Sequence, residues 1–122
     1  MSKTFSTYFL GCKLNKYESE AIEEQFLDHK WEKKADFEKA DVYVINTCSV
    51  TERSAYKSRQ LIRKLHKINP QAEIIVTGCA VQENAEKILE IPGVKLVVGN
   101  DKKGKIFDYF SHQKEGIISH EN

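Results

Sequence analysis

Short apolar runs alternate along this chain with longer segments of helical period, and this order limits the folds that the chain can adopt. The run Val42–Ile45 is apolar on both of its alternating faces, which is typical of a strand covered by helices on each side of a parallel sheet. The predicted strands are Thr4–Leu10, Val42–Ile45, Ile74–Thr77 and Val94–Val98. The predicted helices run from Asn15 to about Lys30 and then over Arg53–Ile68, Ala85–Ile91 and Lys103–Phe110.

Strands and helices in strict alternation predict an α/β fold. Because crossovers between parallel strands are right-handed, we expect a doubly wound, Rossmann or flavodoxin-like parallel sheet of four to five strands flanked by helices. The first helix has a predicted capping box, Asn15 to Glu18, at its start.

The composition is that of one domain with balanced charge. The 122 residues include 19 Lys and Arg and 18 Asp and Glu, so a strongly basic nucleic-acid module is excluded. No apolar run approaches the length that spans a bilayer, and Met1–Cys12 does not have the pattern of a signal peptide, because Ser6, Thr7 and Gly11 break its apolar stretch. We therefore expect a cytoplasmic location, where thiols stay reduced, and three cysteines, an odd number, fit poorly with a disulfide framework.

Each of the three cysteines follows the carboxyl end of a predicted strand. Cys12, Cys48 and Cys79 are separated by 36 and 31 residues, close to the length of one βαβ unit, about 30 residues. Ligands of open α/β sheets bind in the crevice outside the carboxyl ends of the strands, so we expect three thiols to point toward one crevice. The alternative is three unrelated buried cysteines, since free cysteine is among the most buried residue types.

Three thiolates without a nearby histidine are compatible with two kinds of metal site. Zinc can take three protein ligands and a water molecule. An iron–sulfur cluster normally takes four cysteines, so three would leave one iron open to a substrate, a cofactor or an extra sulfur. The residues alone leave both possibilities open.

Three blocks of sequence around the cysteines resemble the amino-terminal domain of the radical-SAM methylthiotransferases. The blocks are 11–20, 41–51 and 77–82, and the resemblance runs from about Phe5 to Phe110. Within that family, Cys-Lys-Leu-Asn-Lys-Tyr-Glu and Cys-Ser-Val-Thr are most similar to the branch that modifies threonylcarbamoyladenosine in tRNA. One departure is Lys95, at a position where the family often has an acid.

The resemblance implies that Cys12, Cys48 and Cys79 bind an auxiliary [4Fe-4S] cluster with an open iron. In such enzymes this cluster presents or supplies the sulfur inserted at C2 of the modified adenosine next to the anticodon. A second [4Fe-4S] cluster, held by a Cys-x-x-x-Cys-x-x-Cys motif on a partial TIM-type barrel, cleaves S-adenosylmethionine to a radical, and S-adenosylmethionine also donates the methyl group. That motif is absent from this sequence.

The resemblance also implies a domain organisation. Residues 1–112 correspond to the amino-terminal methylthiotransferase domain, and residues 113–122 are expected to be a polar tail or the start of a linker. The radical-SAM barrel and the carboxy-terminal RNA-binding domain of the family are absent from this chain, so we expect it to be catalytically incomplete alone.

Polar residues beside the cysteines are candidates for tuning the site. Asn15, Asn46 and Gln82 are placed to hydrogen-bond cluster sulfur or the ligand on the open iron, although Asn15 is equally explained as a helix cap.

A basic segment follows the second cysteine. Arg53–Lys67 contains six Lys and Arg and no acid. Five of them lie opposite the predicted apolar face and are candidates to meet tRNA phosphates, although a solvated helix face is the simpler explanation. These five are Arg53, Lys57, Arg63, Lys64 and Lys67. Trp31, Phe37 and Tyr43 are expected in the core rather than as base-stacking platforms.

A flavodoxin-like or receiver-like binding module with incidental cysteines is the alternative function. Its support is weak, because the sequence has no Gly-x-Gly-x-x-Gly phosphate loop and no cluster of acids at strand ends to hold magnesium.

Overall fold

The computed structural model describes residues 3–9, 13–35, 37–47, 52–78, 87–98, 106–111 and 116–118. Within these residues, strands and helices alternate along most of the chain. The strands are β1 (Thr4–Phe9), β2 (Glu32–Lys33), β3 (Val42–Thr47), β4 (Glu73–Gly78), β5 (Val94–Val98) and β6 (Gly116–Ile118). The helices are α1 (Lys13–Asp28), α2 (Glu52–Ile68) and α3 (Ile106–Ser111), and residues 87–89 are also helical.

The strands form one parallel sheet in the order β2-β1-β3-β4-β5-β6. This arrangement confirms the predicted doubly wound α/β fold. The sheet is wider than predicted, because the short strands β2 and β6 extend its two edges. Glu32 and Lys33 of β2 are both exposed, so they have no apolar pattern from which a strand could be predicted. β6 lies within the predicted polar tail and pairs with Leu96–Val98 of β5.

Helices cover both faces of the sheet. α1 and α3 pack on one face, and α2 and the segment 87–91 pack on the other, so each face has its own apolar cluster. The buried residues of the first cluster are Phe5, Ile22, Phe26, Val42, Val44, Ile75, Leu96, Val98, Ile106 and Phe107. Those of the second are Tyr8, Ala40, Tyr43, Ile45, Ile62, Leu65, Ala72, Ile74, Val76, Ile88, Ile91 and Val97. None of the helices in the described ranges is long and apolar enough to cross a membrane.

The start of α1 differs from the prediction. The helix begins at Lys13, directly after Cys12, so Asn15 lies inside its first turn and is not its capping residue. The capping box signal placed the cap at Asn15, three residues after Cys12, the residue that precedes the helix.

Two tyrosines fix the loop that precedes β3. The hydroxyl of Tyr43 donates a hydrogen bond to the carbonyl oxygen of Glu38 at 2.7 Å and accepts one from the amide of Ala40 at 3.2 Å. Burial raises the pKa of the Tyr43 phenol above its ordinary value. The hydroxyl of Tyr8 accepts a hydrogen bond from the amide of Phe37 at 2.7 Å, and Phe37 has a φ of 64°. The prediction of a core position is right for Tyr43 and wrong for Phe37, whose side chain is 44% exposed.

Gly93 forms the turn into β5 in a conformation that other residues rarely adopt. Its φ is 97°, and a Cβ atom at this position would lie 2.6 Å from Nδ1 of His66. We expect Gly93→Ala to lower the free energy of unfolding by about 2 kcal/mol or more, because it adds both a left-handed backbone penalty and a steric overlap. Urea denaturation measures this loss.

A second substitution separates the two contributions. His66→Ala in the Gly93→Ala background removes the overlapping ring, so we expect the double variant to recover part of the lost stability relative to the sum of the single variants. A Gly93→Ala protein with the same urea midpoint as the original chain would contradict this prediction.

Candidate functional site

The strand order creates a crevice at the carboxyl end of the sheet. β2 and β3 lie on opposite sides of β1, so the chain reverses its winding direction between β1 and β3. In doubly wound folds, ligands bind outside the carboxyl ends of the strands at such a switch point. The topology therefore identifies the ends of β1 and β3 as the candidate site, independently of any cysteine.

The carboxyl ends of three neighbouring strands are level with one another. Phe9 of β1 pairs with Asn46 of β3, and Asn46 pairs with Thr77 of β4. One residue further along, Thr47 pairs with Gly78. β1, β3 and β4 thus end together on one edge of the sheet.

The predicted cysteine ligands lie outside the described residues, and so does Gln82. The structure instead describes the ends of the strands that precede the three cysteines. Cys48 and Cys79 come directly after the paired residues Thr47 and Gly78 in the sequence, whereas Cys12 comes three residues after Phe9 and directly before α1. Asn15 is in the first turn of α1, but its side chain is not among those described.

A buried polar pair lies at the ends of β3 and β4. Asn46 and Thr77 are both fully buried, with side chains 0% exposed, and they are register partners. Period-two alternation puts both side chains on the face that carries Val44 and Ile75, under α1 and α3. This pair therefore introduces polar groups into the otherwise apolar cluster on this face, at the ends of β3 and β4.

Thr77 is a candidate site residue that was not predicted from the sequence. A signal was present, because the polar residue Thr77 ends the apolar run Ile74–Val76 directly before Gly78 and Cys79. Asn46 has the same position relative to Cys48 as Thr77 has to Cys79, two residues before the cysteine.

Polar contacts fix α1 against the first strands of the sheet. The hydroxyl of Thr7 in β1 donates a hydrogen bond to the carboxylate of Glu23 in α1. The ammonium group of Lys33 in β2 lies 3.0 Å from the same carboxylate. Because α1 begins directly after Cys12, these contacts hold the helix that follows the first cysteine.

The basic side chains predicted on α2 are exposed wherever the structure describes them. Lys57, Arg63, Lys64 and Lys67 are all exposed, as is Arg59, while the side chain of Arg53 lies outside the described set. None of these residues lines the core beneath the strand ends.

No group of three or more His, Cys, Asp or Glu side chains converges on a point among the residues that the structure describes. Lys95, at a position where the family often has an acid, forms an ion pair in this structure. Its ammonium group lies 2.5 Å from the carboxylate of Glu73 on the neighbouring strand β4.

Comparison with known proteins agrees with the resemblance seen in the sequence. The model of "Uncharacterized protein family UPF0004" matches residues 4–99, a range that includes all three cysteines. A relative from Bacillus subtilis (strain 168), "Threonylcarbamoyladenosine tRNA methylthiotransferase MtaB", is 46% identical over 113 residues, which cover 92% of this chain and 25% of the relative.

More distant relatives carry similar names. The protein of the same name from Aquifex aeolicus (strain VF5) is 33% identical, with 97% of this chain and 29% of the relative covered. The "tRNA-2-methylthio-N(6)-dimethylallyladenosine synthase" of Rickettsia prowazekii (strain Madrid E) is 34% identical, with 81% of this chain and 24% of the relative covered. The chain therefore spans about a quarter of the length of these relatives.

Proposed function

The chain belongs to the family described as "Uncharacterized protein family UPF0004", and from this premise we propose that it is the auxiliary [4Fe-4S]-cluster domain of a tRNA methylthiotransferase. In this proposal Cys12, Cys48 and Cys79 are the three protein ligands of the cluster. The observation that carries the proposal is the level ending of β1, β3 and β4, each of which precedes one of these cysteines.

Covalent geometry supports a common site for the cysteines. Neighbouring strands are about 4.8 Å apart, and consecutive Cα atoms are about 3.8 Å apart. Cys48 directly follows Thr47, and Cys79 directly follows Gly78. Because Thr47 and Gly78 are register partners, each cysteine is one residue away from a paired position on neighbouring strands. Cys12 is constrained on its other side, because α1 starts at the next residue.

The set of available donors fits an iron–sulfur cluster. Thiolates are the soft ligands that iron–sulfur clusters require, and the three cysteines can supply three of them. When bound, a cluster with three cysteine ligands supplies an open iron that can hold the sulfur atom to be transferred. The protein contributes the three thiolates and the fixed spacing of the strand ends.

We assign Asn46 a positioning role in this site, together with its partner Thr77. Both side chains are buried where their strands end, two residues before a cysteine, so they lie next to the segments that carry Cys48 and Cys79. Polar groups around a metal site also orient its ligands and tune its electronic properties. Asn15 and Gln82 are proposed to reach the cluster or the ligand on its open iron.

The relatives support a specific substrate. The 46% identical relative is named for threonylcarbamoyladenosine in tRNA, so we propose N6-threonylcarbamoyladenosine next to the anticodon as the base that receives the methylthio group at C2. The S-adenosylmethionine radical chemistry, its second [4Fe-4S] cluster and a carboxy-terminal RNA-binding domain belong to the remainder of such an enzyme. The cytoplasm, where tRNA is modified, is the proposed location.

Anaerobic reconstitution with iron and sulfide tests this function. We expect the purified chain to bind about four irons and to develop the absorption of a thiolate-ligated cluster. A protein that stays free of iron under these conditions would contradict the proposal, and stoichiometric zinc after purification would favour a zinc site instead.

The strand order is also compatible with the alternative function, a flavodoxin-like binding module. A β1/β3 switch point is where flavodoxin-like proteins bind flavin mononucleotide. Flavin or nucleotide retained through purification, together with failure to bind iron, would favour a binding module whose cysteines are incidental.

A further inference from the structure

One exposed face of α2 concentrates positive charge in a chain that is otherwise balanced. The segment Arg53–Lys67 contains six of the 19 Lys and Arg and none of the 18 Asp and Glu. The described members of this face, here named the α2 basic face, are Lys57, Arg63, Lys64 and Lys67, and all four are exposed. Local concentration of one charge sign attracts a partner of the opposite sign even when the net charge is only +1.

The charges of the α2 basic face are available to such a partner. Among the described residues, ion pairs with carboxylates are formed by Lys33 and Lys95, neither of which is on α2. The opposite side of the helix, with Ile62 and Leu65, is buried against the sheet. The basic face therefore has no charged partner within the described part of the molecule.

Aromatic side chains lie among these charges. The ring of Tyr56 is on the same face, is 54% exposed, and has its hydroxyl bonded to the side-chain amide of Gln60 at 2.6 Å. The ring of Phe37 is 44% exposed, and the ammonium group of Lys64 lies 4.0 Å from its centroid. Exposed aromatic rings beside cations are the features with which proteins bind single-stranded nucleic acids.

We propose that the α2 basic face binds the phosphodiester backbone of the substrate RNA, with Tyr56 as a stacking surface for an unpaired base. This inference rests on the proposed function, since it takes the RNA to be the substrate. RNA is the occupant that the observations favour, because its charge complements the lysines and arginines and its bases complement the exposed ring.

The path of α2 agrees with this role. The helix begins at Glu52, four residues after Cys48, and runs away from the carboxyl edge of the sheet for 17 residues, about 25 Å. An RNA that places one base at the strand ends can continue along the helix with its phosphates on the basic face. The inference thus explains why the charges follow the second cysteine rather than being spread over the surface.

Charge removal is the first test. We expect Lys57→Gln/Arg63→Gln to weaken binding of a fluorescent RNA hairpin with an unpaired loop by about tenfold and to reduce the salt slope by about 1.5 between about 50 and 200 mM salt. The matched control is Lys3→Gln/Lys30→Gln, which removes the same charge from exposed positions outside α2. Fluorescence anisotropy at several salt concentrations measures both quantities.

Removal of the ring is the second test. We expect Tyr56→Ala to weaken binding of the same hairpin by about tenfold while leaving the salt slope unchanged, because a stacked ring neutralises no phosphate. Tyr56→Phe keeps the ring and loses only the contact with Gln60, so it should bind as the original chain does.

The outcomes separate this inference from the proposed function. Equal losses in the α2 variant and in the matched control, or no binding of the hairpin by the original chain, would overturn the role of the α2 basic face. Iron uptake does not involve these side chains, so the α2 variants should bind iron normally. Normal iron uptake with unaffected RNA binding in the α2 variant would refute only this inference.

Discussion

Replacing any one of Cys12, Cys48 and Cys79 with alanine is expected to abolish stable iron uptake. With three thiolates the proposed cluster has one open iron, and with two it has two irons without protein ligands. Such a cluster should be lost during gel filtration after anaerobic reconstitution, so the iron content should fall from about four per chain to near zero. Iron and sulfide analysis of each variant measures the change.

Ser49→Ala is the matched control for Cys48→Ala, because it alters the adjacent residue without removing a thiol. It should bind iron as the original chain does, and circular dichroism should show that all variants retain the fold. A single-cysteine variant that still retains about four irons would remove that cysteine from the ligand set, and the proposed three-cysteine site would be wrong.

Phe26→Ala is expected to cause the largest loss of stability among the substitutions considered. The side chain is fully buried in α1, and its ring lies 5.0 Å from that of Phe5 and 4.9 Å from that of Phe107, measured between centroids. Truncating a buried phenylalanine typically costs about 3–5 kcal/mol, because contacts are lost and a cavity remains. That loss is a large part of the total stability of a small domain, about 5–15 kcal/mol.

The next residue provides the control for this prediction. Leu27 is 47% exposed on the same helix, so Leu27→Ala should change the free energy of unfolding by no more than about 0.5 kcal/mol. Urea denaturation of the two variants gives the comparison directly. Similar losses in both would show that Phe26 does not anchor α1 to the sheet and to α3.

The main elements of the fold follow from hydrophobic pattern. Val42–Ile45 is apolar on both faces and becomes β3, the strand beside the switch point. β2 and β6 could not be predicted from hydrophobic pattern. They have only two and three residues, and backbone hydrogen bonds pair them with the sheet. Phe37 was misplaced for a different reason: a tertiary hydrogen bond from its amide to Tyr8 holds the loop in a left-handed conformation that exposes the ring.

The location of the candidate site at the strand ends could be predicted from the sequence. The spacing of the cysteines indicated one edge of the sheet, and the paired ends of β1, β3 and β4 are on one edge. A meeting of the three sulfur atoms remains a prediction, since the cysteines lie outside the described residues. Tyr56 was not predicted as a site residue, although it lies on the exposed side of the helix.

The parallel pairing of β1, β3 and β4 has a consequence for how a ligand is acquired. Segments that are far apart in sequence reach one edge only after two long crossovers have closed, so the nascent chain cannot assemble this site locally. A ligand that requires all three strand ends is therefore captured late, after the sheet has formed. Its uptake would serve as a measure of how many molecules in a preparation have completed folding.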